Sequence, residues 1–192
     1  MENPCLTLVL MAGLPGAGKT TLAARLGKSL GWPVIDKDKI KDEFTKDGYD
    51  NVEAGNQAYE ESFALARDTL LNDQKSVILD STAIHQFILD DARKIVSDIV
   101  NVHLKVILCV IEKYLRDYRL LHRPYQAPTV KVDPQTITDY LTLFEHLPPD
   151  NTLTIYTDGL LDEYLQTAIS YLSNTQQSTE RLYEPGYKVP GG

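Results

Sequence analysis

Several residue types are scarce in this chain of 192 residues: tryptophan occurs once, and methionine and cysteine twice each. Two cysteines cannot build a disulfide-stapled scaffold. Cys5 and Cys109 both fall in apolar, strand-like runs and read as small core residues. Long apolar runs are missing too, and none approaches the roughly 20 residues of a membrane span. No basic, apolar, small-residue series typical of a secretory signal opens the chain. The expectation is a reduced, cytoplasmic protein that does not enter a membrane. Positive charge is also short, with 19 Lys and Arg against 27 Asp and Glu, a net charge of −8. That argues against a broad electrostatic footprint on nucleic acid and leaves room only for a local basic groove. Histidine is sparse, and His85, His103, His122 and His146 show no metal-ligand spacing. Repeats and interdomain linkers are absent as well, so the length suits one α/β domain.

Against these absences stands one dense motif. Gly13-Leu14-Pro15-Gly16-Ala17-Gly18-Lys19-Thr20 matches the phosphate-binding loop at every fixed position. Glycines let successive backbone N–H groups turn inward toward phosphate oxygens. The loop opens a helix, whose unpaired N–H groups and positive dipole end attract anions. Lys19, expected as a solvent-facing charge, reaches the β- and γ-phosphates of a nucleotide, and the Thr20 hydroxyl binds the accompanying Mg²⁺. Thr21 follows at the same helix start. The context fits: Leu6 to Met11 is a short buried-strand run, and Leu22, Leu26 and Leu30 with Ala23 mark a helix packed on a sheet.

The rest of the chain alternates in the same way. Strands are expected over Trp32–Ile35, Ser76–Asp80, Val102–Ile111 and Thr152–Tyr156. Helices are expected over Asn56–Leu71, Ile88–Ile99, Tyr114–Arg123, Asp133 to about His146, and Leu161–Leu172. Asp36 to Lys39 reads as an acidic–basic run after the second strand. This order spells βαβ units, a parallel sheet with helices on both faces, and ligands at the carboxyl ends of the strands. Residues 1–172 form the expected domain and 173–192 a polar, mobile tail. Arg123 to Val132, with two prolines, is the expected moving loop.

Four groups of residues could carry chemistry. Asp80 ends an apolar strand, where a carboxylate either orients Mg²⁺, directly or through water, or caps a helix. Ser81 follows it, where motor ATPases use Glu to activate water, which shifts weight from hydrolysis to transfer. Asp36 and Asp38 flank Lys37; either could take a hydroxyl proton or simply open a helix. Arg116, Arg119 and Arg123 lie on one predicted helix, either as solvated surface or as part of a closing lid that neutralises charge. His85 lies close enough to Asp80 to touch a substrate.

Gly13 to Thr20, Val34 to Lys41, Val77 to Thr82, Arg93, and Arg119 through Arg123 together resemble the small phosphate-loop kinases. That group includes the kinase domain of polynucleotide kinase, gluconate kinase, chloramphenicol phosphotransferase and the zeta-toxin sugar-nucleotide kinases. The resemblance covers residues 5 to 172. It implies the phosphate-loop nucleoside-triphosphate hydrolase fold, a five-stranded parallel sheet with a helical, arginine-bearing lid over ATP and Mg²⁺. By position it selects Asp38 as the hydroxyl base, which spacing alone does not, and it matches Asp80 to the acidic residue after the third strand. Lys41 stands where the polynucleotide kinases carry an arginine, and lysine cannot give the bidentate phosphate clamp. The implied activity is ATP-dependent phosphorylation of a small-molecule hydroxyl, with the acceptor held by Asp38, Lys41 and His85. A polynucleotide 5′-hydroxyl kinase is the runner-up, and a nucleotide-dependent switch is the reading from another class. No Asn-Lys-x-Asp guanine-reading motif occurs in the chain.

Overall fold

The computed structural model describes residues 5–122 and 144–174. Within them the chain runs β1 (Leu6–Ala12), α1 (Lys19–Leu30), β2 (Val34–Asp36), α2 (Lys37–Lys46), α3 (Asn51–Leu71), β3 (Val77–Asp80), α4 (Gln86–Asp98), β4 (Val102–Val110), α5 (Lys113–Leu121), β5 (Thr152–Tyr156) and α6 (Leu161–Ser173). The five described strands form one parallel sheet in the order β2-β3-β1-β4-β5. This is the α/β phosphate-loop fold expected from the sequence.

β1 is central, and all seven of its residues are buried. Alternation splits them between two cores, because successive strand side chains point to opposite faces. Leu6, Leu8, Leu10 and Ala12 pack with residues of α3 and α4, while Val9 and Met11 pack with residues of α1 and α6. A strand covered on both sides has no polar face, which is why it reads as an apolar run interrupted only by the buried Thr7.

Two helix starts differ from expectation. Residues 37–46 form α2, a helix whose start at Asp36 and Asp38 the sequence held open but whose extent it did not give. Its apolar side amounts to little more than Ile40 and Phe44, so periodicity barely registers. Its start is fixed by Asp36, whose carboxylate accepts the N–H groups of Asp38 and Lys39 at 3.1 and 3.2 Å. α3 begins at Asn51, five residues before the expected Asn56. Asp50 caps it through the N–H groups of Val52 and Glu53. Val52 in that first turn is exposed, so the apolar pattern starts late. Cys5 corrects another expectation: it precedes β1 and is exposed, whereas Cys109 is buried. The expected helix starting at Asp133, the loop from Arg123 to Val132 and the tail beyond Asn174 lie outside the described residues.

α1 carries the phosphate loop, and Gly27 sets how closely it lies on β2. A Cβ at Gly27 would run into the Val34 side chain and stand 2.9 Å from the Trp32 carbonyl oxygen. Gly27→Ala therefore overpacks this seam, and the cost outweighs the roughly 1 kcal/mol that alanine gains in helix propensity. The variant should be less stable by about 1–3 kcal/mol, seen as a lower urea midpoint with an unchanged slope. An unchanged or higher midpoint would show that β2 simply gives way.

Candidate active site

The loop after β1 is shaped by what lies beneath it. Gly13 has φ 135°, and a Cβ there would stand 2.5 Å from the Cys109 carbonyl oxygen of β4. Only glycine permits both the dihedral and the approach. Its N–H donates to the Thr82 carbonyl at 3.1 Å, which ties the loop to the segment following β3. The Ala17 N–H donates to the Leu14 carbonyl at 3.1 Å, curling the loop over the start of α1. Lys19 is therefore not the solvent-facing charge expected. It is 8% exposed, and its Nζ donates to the Leu14 carbonyl at 3.0 Å inside the curl. Thr20 and Thr21 are exposed on the first turn of α1.

Beside this loop Asp80 ends β3, buried at the sheet edge. Burial pushes its carboxyl up to about 6, opposed by the Lys19 ammonium and by a hydrogen bond with the Thr20 side chain. Asp36 and Asp38 add to the upward push. Asp80 is the cap of no described helix. Ser81, also buried, turns its hydroxyl back to the Met11 carbonyl at 3.5 Å.

β2 and β3 pair in register at Asp36 and Asp80, so α2 starts at the same edge. Here the two carboxylates that spacing left equivalent become distinct. Asp36 is the helix cap, ion-paired to Lys39 at 3.2 Å, with a side chain only 15% exposed. Asp38 points outward at 69% exposure and is held at 2.7 Å by Lys37. Lys37 is a site residue that sequence reasoning missed. It is buried, and its Nζ lies 5.0 Å from the centre of the Tyr59 ring. The Tyr59 hydroxyl is 3.3 Å from Thr82 Oγ1, and its ring meets Phe87 edge-on. His85 is exposed before α4 and stacks on Phe87. Lys41 lies one turn beyond Lys37.

On the opposite side α5 leans over the loop. Arg116 is buried against Gly16 and paired with Asp117 at 2.7 Å. Arg119 donates to the Thr157 carbonyl at 2.7 Å and lies close to Gly18. The buried Thr157 hydroxyl is 2.9 Å from the Ala17 carbonyl and 3.3 Å from that of Val110. Thr157 thus joins loop, β4 and Arg119, and it too escaped the sequence reading. The available signal was a polar residue just past a strand at the carboxyl edge of an open sheet. Arg123 lies outside the described residues. Arg93 is engaged with Asp90 on its own helix.

The loop, the parallel sheet and the buried carboxylate after β3 define a phosphate-loop α/β protein. Residues 8–147 match the AAA domain family, and the chain belongs to it. Among solved structures it is similar to a sugar kinase of Janibacter sp. HTCC2649, at TM-score 0.62 and 16% identity over 88% of this chain and 95% of that one. A gluconokinase of Sinorhizobium meliloti 1021 gives TM-score 0.60 and 14% identity over 88% and 93%. The Mycobacterium tuberculosis APS kinase, solved with AMPPNP and APS, gives 0.58 and 20% over 89% and 99%. At these identities the likeness is one of fold. No curated protein matches the chain.

The proton affinity of Asp80 has a consequence for stability. The folded chain holds this proton more tightly than the unfolded one, where an aspartate titrates near 3.9. Stability from the protonated form is complete below about pH 4 and is lost as pH rises through about 6, a loss of about 3 kcal/mol at most. Asp80→Asn removes this titration. Relative to wild type without ligand, the variant should gain about 1–3 kcal/mol between pH 4.5 and 7.5 in urea melts. Parallel pH profiles would mean that the Asp80 proton is not coupled to folding.

Proposed function

We propose that this chain is a kinase that transfers the γ-phosphoryl group of ATP to a hydroxyl of a small-molecule acceptor, with residues 1–172 as its catalytic domain. The observation that carries the reading is the pair of carboxylates at one sheet edge. Asp80 is buried against Lys19 and Thr20, while Asp38 is exposed beside the same edge. A nucleotide site alone needs the first; a second carboxylate facing outward suits an acceptor that must lose a proton. Ser81 turned back to Met11 leaves the position after Asp80 without a carboxylate to activate water. The sugar kinase, gluconokinase and APS kinase among the structural relatives support the same class, and the net charge of −8 disfavours a polynucleotide acceptor.

In this reading Gly13, Leu14, Gly16, Ala17, Gly18, Lys19, Thr20 and Thr21 line the phosphate site, the N–H groups of Gly13 and Ala17 staying on the Thr82 and Leu14 carbonyls, with Pro15 shaping the turn. Lys19 exchanges the Leu14 carbonyl for phosphate oxygens. The Thr20 hydroxyl and the Asp80 carboxylate would hold Mg²⁺, to which such hard oxygen donors are suited. That ion, when bound, neutralises phosphate charge. Asp38 accepts the acceptor's proton as its oxygen bonds to the γ-phosphorus, and the bond from that phosphorus to the bridging oxygen breaks to release ADP. His85 lies at the rim of the acceptor side. Arg119, anchored on Thr157 beside Gly18, contributes positive charge over the nucleotide. Arg123 is proposed for the lid.

Label transfer from γ-labelled ATP to a panel of hydroxyl compounds tests the assignment. Lys19→Ala should abolish transfer. Asp38→Asn should lower kcat by about 10²–10⁴-fold with little change in ATP affinity. Asp36→Asn should cost far less, because asparagine also caps helices well. The reverse order of the two would move the base to Asp36, and ATP turnover indifferent to every hydroxyl compound would replace the kinase with a hydrolytic switch.

Arg119 gives a second test. Arg119→Ala should lower kcat/KM for ATP by about 10-fold or more while shifting the melting temperature little, since the Thr157 hydroxyl keeps its bonds to the Ala17 and Val110 carbonyls. Unchanged kinetics would return Arg119 to a purely structural bracket on Thr157.

A further inference from the structure

A base must stand in one place to work, yet the fold leaves the Asp38 side chain largely in water. A carboxylate so placed samples several rotamers unless something holds it. The group that holds it is no ordinary surface lysine. Lys37 has a side chain only 10% exposed, its ammonium 2.7 Å from an Asp38 oxygen and 5.0 Å from the centre of the Tyr59 ring. An ion pair open to water on one side adds little stability. What it gives here is direction, because the ring that fixes Lys37 belongs to α3 and not to α2.

Tyr59 is fixed in turn. Its ring meets Phe87 edge-on with centroids 5.6 Å apart, and its hydroxyl lies 3.3 Å from Thr82 Oγ1. Thr82 stands on a braced segment. The Ser81 hydroxyl donates to the Met11 carbonyl at 3.5 Å, and the Thr82 carbonyl accepts from the Gly13 N–H at 3.1 Å. The Ala83 carbonyl accepts from His146 Nε2 at 3.2 Å. Ala83 itself is fully buried at φ 49°, a left-handed conformation that a residue with a Cβ keeps only where its surroundings over-determine it. The Asp38 carboxylate is thus linked to the phosphate loop through Lys37, Tyr59 and Thr82, each of them buried or half-buried.

We infer that Lys37 and Tyr59 are positioning residues: they carry the location of the phosphate loop across to Asp38, so that the base meets the acceptor hydroxyl at a set distance from the γ-phosphorus. The face of the Tyr59 ring attracts the ammonium without competing for it as a second carboxylate would. A misplacement of about 1 Å in such a constellation costs up to about 10²-fold in rate. The word base rests on the kinase reading; the tether does not.

Two measurements separate those claims. In the first, urea melts compare Lys37→Gln, Tyr59→Leu and the double variant. Residues in contact couple, so the double variant should lose less stability than the two single losses added together. Additive losses overturn the tether. In the second, label transfer from γ-labelled ATP is followed. Lys37→Gln should lower kcat by about 10-fold or more while the KM for ATP stays within about 2-fold. Lys37→Arg should recover most of the loss, since a guanidinium also pairs with a carboxylate and stacks on a ring. Tyr59→Leu should match Lys37→Gln, and Tyr59→Phe should cost less, because the ring stays and only the bond to Thr82 goes. In an Asp38→Asn background, Lys37→Gln should cost nothing further, since a residue that acts through the base has no effect once the base is gone. A second loss in that background would make Lys37 a direct contact of the reacting groups. That result, or an unchanged kcat in Lys37→Gln, overturns the inference while the kinase stands. Coupling in the melts without transfer to any compound leaves the tether standing and removes the kinase.

Discussion

A carboxylate kept out of water at the end of β3 governs the arrangement around it. Ionised Asp80 is costly to bury, and its nearest compensation is the Lys19 ammonium together with the Thr20 hydroxyl. Lys19 is in turn buried, because the loop that carries it folds the Leu14 carbonyl onto its Nζ. Each charge offsets part of the other's burial cost, so the loop and the end of β3 hold each other. The bond from the Gly13 N–H to the Thr82 carbonyl adds a neutral tie along the same line. A polyanionic ligand fits this frame, since it offers Lys19 charged oxygen partners in place of the Leu14 carbonyl.

The two flanks of that frame are chemically unlike. Toward β2 lie ammonium groups, carboxylates and aromatic rings, borne by α2, α3 and the segment before α4. Toward β5 lie Arg119 and the hydroxyl and carbonyl of Thr157, with Arg116 packed beneath α5. Such asymmetry is what a transfer reaction between two different molecules requires. In the proposed reaction one flank grips the nucleotide through neutral and cationic donors. The other presents a base next to positive charge.

Much of this was legible because a buried parallel sheet writes itself as short apolar runs. All five described strands lie where their runs suggested, and Asp80 sits at the end of one of them. The phosphate loop was readable for a different reason: backbone geometry there leaves no choice of residue at Gly13. What stayed hidden depends on burial and partnership across long separations. Lys37 looks like any charge in an alternating acidic–basic run, and only packing against Tyr59 sets it apart. Thr157 gains its role from Ala17, 140 positions away. The extent of α2 went unseen because its apolar face is thin, although a helix start at Asp36 and Asp38 stayed open. Asp36 and Asp38 are equivalent by spacing and separate only once one of them becomes that cap.

The bond between Thr157 and Ala17 also bears on how the chain acquires its site. The phosphate loop is near the amino end, yet the residue that fastens it follows the last strand of the sheet. Strand β4 must pair with β1, and β5 with β4, before Thr157 can reach Ala17, and parallel pairing over such distances closes large loops. Contacts of this kind form slowly and late. During synthesis the loop therefore emerges long before its clasp does. A ribosome-bound chain passes through a period in which the motif is complete in sequence but not in shape, and nucleotide can stabilise the fold only after β5 has docked.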